Sequence, residues 1–261
     1  MQPALYVSKT GLSAQDTQLN TISNNLANVS TIGFKKDRAE FEDLLYQIQR
    51  QPGGQSSQDT TLPTGLQLGS GVRVAGTQKI FTAGSLQTTD QPLDMAINGR
   101  GFFQILTPDG TIAYTRNGQF HLNEDGDVVN VNGHPIEPGI TVPEDALSFT
   151  VGEDGTVSVT TPGNPAPQDL GQIQVVDFIN PGGLQAIGNN LFLETGSSGS
   201  PREGIPGEDG LGRIQQSTLE NSNVNVVEEL VNMITTQRAY EMNSKVISTA
   251  DSMLQFVTQN L

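Results

Sequence analysis

The chain has 261 residues and a formal net charge of −15, with no cysteine and no tryptophan. That length allows one large domain or two smaller ones. The lack of cysteine excludes disulfides, thiolate metal sites and cysteine nucleophiles, and the acidic balance argues against nucleic acid or an anionic membrane surface as partner. The charge is unevenly spread. Residues 1–50 hold five basic and five acidic side chains, residues 51–221 six and nineteen, and residues 222–261 two and four. An acidic, water-facing body thus lies between two nearly neutral ends. No run of about 18 apolar residues predicts a transmembrane helix. The start, MQPALYVSKTGLSAQDTQ, has no apolar h-region and no Ala-x-Ala pattern. The expectation is export, if any, without cleavage of the N-terminus.

The first predicted element is a helix from Pro3 to about Asn28. Proline suits the first helical position. Leu5, Leu12, Leu19 and Leu26 recur every seven residues, and Ile22 and Val29 add a partial second row. Such a heptad stripe packs along another helix, and the element would be about 39 Å long. Its end reads NNLANVSTIGFKK. The short side chains of Asn24, Asn25, Ala27, Asn28 and Ser30 predict close helix approach and amide caps for freed carbonyls. Gly33 is placed to stop the helix in the left-handed conformation. Phe34 and Phe41 then begin the next layer, with Lys35, Lys36 and Arg38 expected in water.

Residues 51–65, QPGGQSSQDTTLPTG, hold one leucine and no other large apolar side chain. Composition favours a flexible linker; an extended arm ordered against a neighbour is the other reading. From about Val72 to Asn221 the sequence reads as β. Asp109-Gly110, Asn117-Gly118, Asp125-Gly126 and Asn132-Gly133 are hairpin signals. Short alternating runs between and after them, such as Leu147, Phe149 and Val151, predict an antiparallel meander or barrel. Residues 196–212, with six glycines and two prolines, predict a surface loop.

Chemistry finds no foothold in this stretch. His121 and His134 have no third ligand at metal-site spacing. Glu124-Asp125-Gly126-Asp127 resembles half of a calcium loop, but position 12 counted from Asp125 is Ile136, so a turn is expected. Asn98-Gly99-Arg100-Gly101-Phe102 precedes a strand instead of opening a helix, and no Gly-x-Ser-x-Gly elbow occurs. No catalytic, cofactor-binding or metal residue is assigned, and the expectation is a protein that is not an enzyme.

The last predicted element is a helix after Asn225, whose Asn-Val-Val-Glu spacing reads as a capping box ending on Glu228. Val226, Met233, Tyr240, Ile247 and Leu254 recur every seven residues, and Leu230, Ile234, Val246, Ala250, Met253 and Val257 widen the stripe. It would be about 50 Å long. Two readings stand for the paired ends. They form an antiparallel hairpin against the body, or they also pack against copies of themselves. A stripe wider than one partner needs, and the poor stability of lone helices in water, favour assembly, with ends that order on polymerisation. The fold class expected is α+β, with terminal helices forming a coiled-coil assembly domain and a mainly antiparallel β middle. The domains would be 1–33 paired with 222–261, a connecting segment 34–71, and a β body 72–221.

SNNLANVSTIGFK (23–35) resembles the N-terminal signature of bacterial flagellar rod, hook and hook-associated proteins, and SNVNVVEELVNMITTQRAYEMNSKVI (222–247) resembles their C-terminal signature. The signature residues are Asn24, Asn25, Leu26, Ala27, Asn28, Thr31, Gly33, Phe34 and Lys35. NGRGFFQI (98–105) and residues 170–195 resemble the body of the same family. YQIQRQPGGQSSQDTTLPTG (46–65) is similar to the insertion that marks its distal rod members, here with Gln51, Pro52, Gly53, Gly54, Gln55, Ser56, Ser57, Thr60, Thr61, Leu62 and Pro63. The resemblance implies a homo-oligomeric helical tube in the flagellar basal body. Subunits would be exported uncleaved by the flagellar type III apparatus, and the terminal helices would line the tube. Implied partners are proximal rod proteins, the hook protein, and the ring bushing proteins of the outer membrane and cell wall, with no nucleic acid and no membrane insertion. The shaft would transmit torque, and the insertion would stiffen it. Alternatives are a proximal rod or hook-type member, or a secreted adhesin with its β domain on a stalk.

Overall fold

Pro3 opens the first helix, α1, which runs Pro3–Ala27. The computed structural model describes residues 3–53 and 63–259. By contact the chain divides into two units. One comprises residues 1–27, 37–78 and 225–261, the other residues 28–36 and 79–224.

In unit 1, α1 packs against the second long helix, α2, Val226–Gln259. Gly11 faces Asn243, while Ala14 and Gln18 share a groove with Thr235 and Ala239, so the two helices run antiparallel. The start of α2 shows the Asn225 half of the expected capping box. The Asn225 Oδ1 accepts from the backbone N–H of Val227 at 3.0 Å and of Glu228 at 3.4 Å, satisfying donors that the first turn leaves open. Between the helices in sequence lie four strands: β1 (Asp37–Asp43), β2 (Tyr46–Arg50), β3 (Leu66–Gly69) and β4 (Val72–Lys79). β1 pairs with β4, and β2 pairs antiparallel with β3, placing Ile48 opposite Gln67. The N–H of Leu44 donates to the Gly71 carbonyl at 2.9 Å and joins the two pairs into one ribbon. Residues 54–62, within the expected linker or arm, lie outside the described residues. The strands on either side of them were not evident from composition, because their apolar residues precede and follow the polar stretch.

Unit 2 is β throughout, apart from a short turn of 3-10 helix at Pro181–Gly183. Its widest sheet has five strands, in the order Ile136–Glu137, Phe103–Leu106, Ile112–Thr115, Leu191–Leu193 and Gln185–Gly188, all antiparallel. A three-stranded sheet of Ser148–Val151, Thr156–Thr161 and Asn164–Gln172 and several two-stranded pairs complete it. The hairpin signals work unevenly. Asp109-Gly110 and Asp125-Gly126 turn between paired strands, and Asn132-Gly133 closes a tight turn with the bridge Val129–Pro135. Asn117-Gly118 instead links two strands that pair with other partners, because Gly118 passes against the backbone of Met95, where a Cβ would not fit. Residues 196–212 are not all loop, since Arg202–Gly204 pairs with Val175–Asp177.

Alternation along these strands delivers the core. Met95, Phe103, Ile105, Ile136, Val157, Ile173 and Val175 are wholly inside. A second cluster stacks Phe102, Phe178, Phe192, Tyr114 and Phe81 edge to face at 4.8 to 6.2 Å. That geometry suits ring quadrupoles.

Candidate assembly surface

The heptad residues of α1 are all at least partly covered. Leu5, Leu12, Leu19 and Leu26 are half-buried, and Ile22 is buried. Those of α2 are less covered. Met233 and Ile247 are half-buried, whereas Val226 and Tyr240 are 40% and 37% exposed. Leu254 lies in α2, but its side chain is outside the described residues. The widening rows stay open: Leu230, Ile234, Val246 and Met253 are 43%, 49%, 47% and 64% exposed, and Phe256 is 69% exposed. One antiparallel partner therefore covers only part of the apolar surface that the sequence places on α2.

The signature stretch behaves differently from its sequence reading. The helix stops at Ala27, and Gly33 is not its cap. Gly33 does take the left-handed conformation, with φ of +69°. The reason is close approach: a Cβ there would lie 2.7 Å from the backbone of Arg116 and Asn117. Asn25 does not serve as a small spacer between helices. It is 2% exposed and brackets Asp37, donating to its carbonyl and accepting from its N–H, both at 2.8 Å. Asn24 is exposed and Asn28 half-buried, with Thr31 Oγ1 donating to the Asn28 Oδ1 at 3.2 Å. Phe34 is buried, while Phe41 is 40% exposed. Gln51, Pro52, Gly53 and Pro63 are exposed. Gly54, Gln55, Ser56, Ser57, Thr60, Thr61 and Leu62 lie outside the described residues.

Lys35, expected in water, is 1% exposed. Its ammonium donates to the Glu220 Oε1 at 2.6 Å and to the Thr82 carbonyl at 2.8 Å. The other carboxylate oxygen of Glu220 accepts from Arg116 at 3.3 Å, and the N–H of Gly84 donates to Oε1 at 2.9 Å. Arg116 also donates to the carbonyls of Ile97 and Gly99. Burial pushes the Lys35 ammonium below its ordinary value, opposed by the Glu220 charge beside it. Arg116 is lowered for the same reason. One carboxylate thus faces two buried cations, with main-chain partners around it. The N–H of Gly33 donates to the Glu220 carbonyl at 2.8 Å, and the N–H of Lys36 to the Asn223 Oδ1 at 2.7 Å. Segments 33–36 and 220–223 are in this way tied together inside unit 2, each joined in sequence to a long helix.

Three family models match the chain. The flagella basal body rod protein model covers residues 5–35, the flagellar hook protein FlgE/F/G D1 domain 96–159, and the flagellar basal body rod FlgEFG protein C-terminal model 215–260. A flagellar basal-body rod protein FlgG of Buchnera aphidicola subsp. Schizaphis graminum is 55% identical over 99% of this chain and 100% of that protein. The FlgG of Caulobacter vibrioides is 50% identical over 98% of each chain, and that of Bacillus subtilis 40% identical over 98% of this chain and 97% of its own. The chain belongs to the flagellar basal-body rod protein family. Within this rod-family chain the two terminal models fall on α1 and α2 and run inward to the buried charges. The first ends on Lys35, and the second includes Glu220. The charge cluster is what sequence reasoning missed. A lysine between an aromatic and a second lysine carries no sign of burial, and the groups it bonds, Thr82 and Glu220, lie 47 and 185 positions away along the chain.

In the β body, Glu124-Asp125-Gly126-Asp127 forms a turn. The Asn123 Oδ1 accepts from the N–H of Asp125 and of Asp127 at 3.0 and 2.7 Å. Among the described residues no group of three or more His, Asp or Glu side chains is placed to hold a metal ion.

Proposed function

We propose that this chain is a structural subunit of the flagellar distal rod and that unit 1 builds the wall of the shaft by packing with copies of itself. The observation that carries this reading is the exposure of the α2 rows Leu230, Ile234, Val246 and Met253 while α1 already lies alongside. Coiled-coil helices repeat such rows to present knobs to further neighbours. Full-length identity to FlgG proteins supports the rod assignment.

In the same reading the acidic, polar-surfaced unit 2 faces outward and turns within the ring proteins, the terminal helices line the channel, and torque passes from motor to hook. Proximal rod proteins, hook protein, outer-membrane and cell-wall rings and the type III export apparatus are the partners this requires. Residues 46–65 act as an arm that braces neighbouring subunits and stiffens the shaft. Its exposed ribbon, β2 with β3, supports an intersubunit role.

The test is polymerisation of the purified chain, followed by electron microscopy. Straight hollow tubes are the expected product. A chain that stays monomeric at every concentration and instead binds cells or glycans would contradict the reading.

A further inference from the structure

Within unit 2, the tight turn around Asn132, the hairpin turn at Asn189-Asn190 and the link through Asn117 border a cavity of about 380 Å³. Its walls are unlike the rest of this acidic chain. Seven of the ten lining residues carry a carboxamide, two carry a hydroxyl, and one, Val131, is apolar. None is charged, although the chain has 28 acidic residues, and six of its nineteen asparagines gather here. Cavities of this size hold small ligands, usually between mostly apolar walls. These walls suit a neutral ligand rich in hydrogen-bonding groups instead.

Turn chemistry accounts for part of the cluster. The Asn130 Oδ1 accepts from the N–H of Asn132 and of His134, both at 2.9 Å, and the Asn117 Oδ1 from the N–H of Gln119 at 3.1 Å. Asn189 and Asn190 have φ of +53° and +59°, as a two-residue hairpin turn requires. These duties use oxygens and backbone alone. With its oxygen pinned, each of Asn117 and Asn130 holds its NH2 group in a set direction, and neither NH2 has a partner among the described residues. Asn190 is the reverse. Its Nδ2 donates to the Ile32 carbonyl at 2.9 Å, which leaves Oδ1 as an oriented acceptor. Oriented donors beside an oriented acceptor match hydroxyl groups, since each hydroxyl both donates and accepts. A net charge of −15 and walls without a cation disfavour an anion. A nucleobase would stack on an aromatic side chain, and none lines the cavity. Val131, 61% exposed, offers apolar surface to the C–H face of a ring.

We propose that this cavity binds a neutral saccharide. The NH2 groups of Asn117 and Asn130 donate to its hydroxyl or acetamido oxygens, the Asn190 Oδ1 accepts from a hydroxyl, and Val131 packs on ring carbons. The site lies within unit 2 and does not rest on the assembly reading.

The test is an amide NMR titration of the dilute full-length chain with three probes: triacetylchitotriose, maltotriose, and the acidic trigalacturonate as control. The expected result is saturable shifts at Asn117, Asn130, Asn132 and Asn189 with a neutral sugar and none with the acidic one. Shifts from triacetylchitotriose alone would assign the site to N-acetylated glycans, and shifts from both neutral sugars to neutral saccharides at large. No saturable shift from either neutral sugar overturns the proposal, as does equal binding of trigalacturonate. Asn117→Asp with Asn130→Asp keeps the oxygens that cap both turns and removes the two NH2 donors. Melting should stay near that of the parent, while affinity falls about tenfold for two lost hydrogen bonds. Should that variant fail to fold, Asn189→Gly serves in its place, because glycine suits the positive φ and lacks the carboxamide. Undiminished binding by a folded variant overturns the assignment.

Discussion

In unit 2, Met95, Phe103, Ile105, Ile136, Val157 and Ile173 are fully enclosed, and a ring cluster packs beside them. In unit 1, the hydrophobic residues buried among those described are Ala14, Ile22 and Ala39, two of them alanine. The larger side chains of α1 are half covered, and many of those on α2 and the ribbon are open. The units also differ in how they handle charge. Unit 2 buries Lys35, Glu220 and Arg116 against one another; unit 1 buries the Glu229 carboxylate, and two of its ion pairs among the described residues, Arg38 with Glu40 and Arg73 with Glu42, are exposed and contribute little. Unit 2 thus closes a hydrophobic core within one chain, while Leu147 and Ile179 stay on its surface. Unit 1 leaves apolar surface exposed on α2 and the ribbon, and under the assembly reading proposed above its stability depends on protomer concentration.

That contrast is open to direct attack, first where the largest effect is expected. Glu220→Ala leaves two buried cations without a counter-charge and should destabilise unit 2 by about 3–5 kcal/mol. Urea unfolding followed by near-ultraviolet signals of the aromatic cluster measures it. A loss below about 1 kcal/mol would show that the buried charges are not needed for the completeness of this unit. Next come Ile247→Asp and Leu19→Asp. Each should raise the concentration needed for polymerisation by at least about 30-fold, the effect of roughly 2 kcal/mol for a charge placed in an apolar seam. The unfolding transition of unit 2 should stay where it was. A matching fall in unit 2 stability would break the separation drawn here.

A smaller effect separates the units by pH. Burial, with Glu194 and Glu203 adding, pushes the Tyr114 hydroxyl from 10.0 up to about 12. The folded state therefore favours the protonated phenol. The stability this confers is complete below pH 10 and is lost as pH rises towards 12. Lys35, whose value is lowered, acts with the opposite sign in the alkaline range, so the comparison must be with Tyr114→Phe. Melting temperatures of the two proteins should diverge between pH 10 and 12, the parent falling more steeply. Parallel curves would remove the Tyr114 contribution. Least of all should the monomer respond to deletion of residues 51–65, by about 0.6 kcal/mol or less in chain closure. The polymer should nevertheless bend more easily in electron micrographs, and unchanged stiffness would remove the bracing role of the arm.

Much of the frame was legible because it rests on local periodicity. Leu5, Leu12, Leu19 and Leu26 announced α1 almost to its last residue, and Asn225 marked the start of α2. Asp109-Gly110 and Asp125-Gly126 announced their hairpins because three-residue loops ending on a positive-φ glycine are set by the residues within them. What failed depends on partners far along the chain. Gly33 reads as a helix stop but serves an approach to residues 116 and 117. Lys35 reads as a solvated charge because the carboxylate that permits its burial is Glu220.

The central claim is that unit 1 is completed by assembly while unit 2 closes its core within one chain. Amide hydrogen exchange on the dilute monomer and on the polymer tests it most directly, comparing residues 3–27 and 226–259 with residues 95–193. The account predicts fast exchange along both helices in the monomer, slow exchange in 95–193, and protection of the helices gained on polymerisation. Helices as protected in the dilute monomer as residues 95–193 would contradict it.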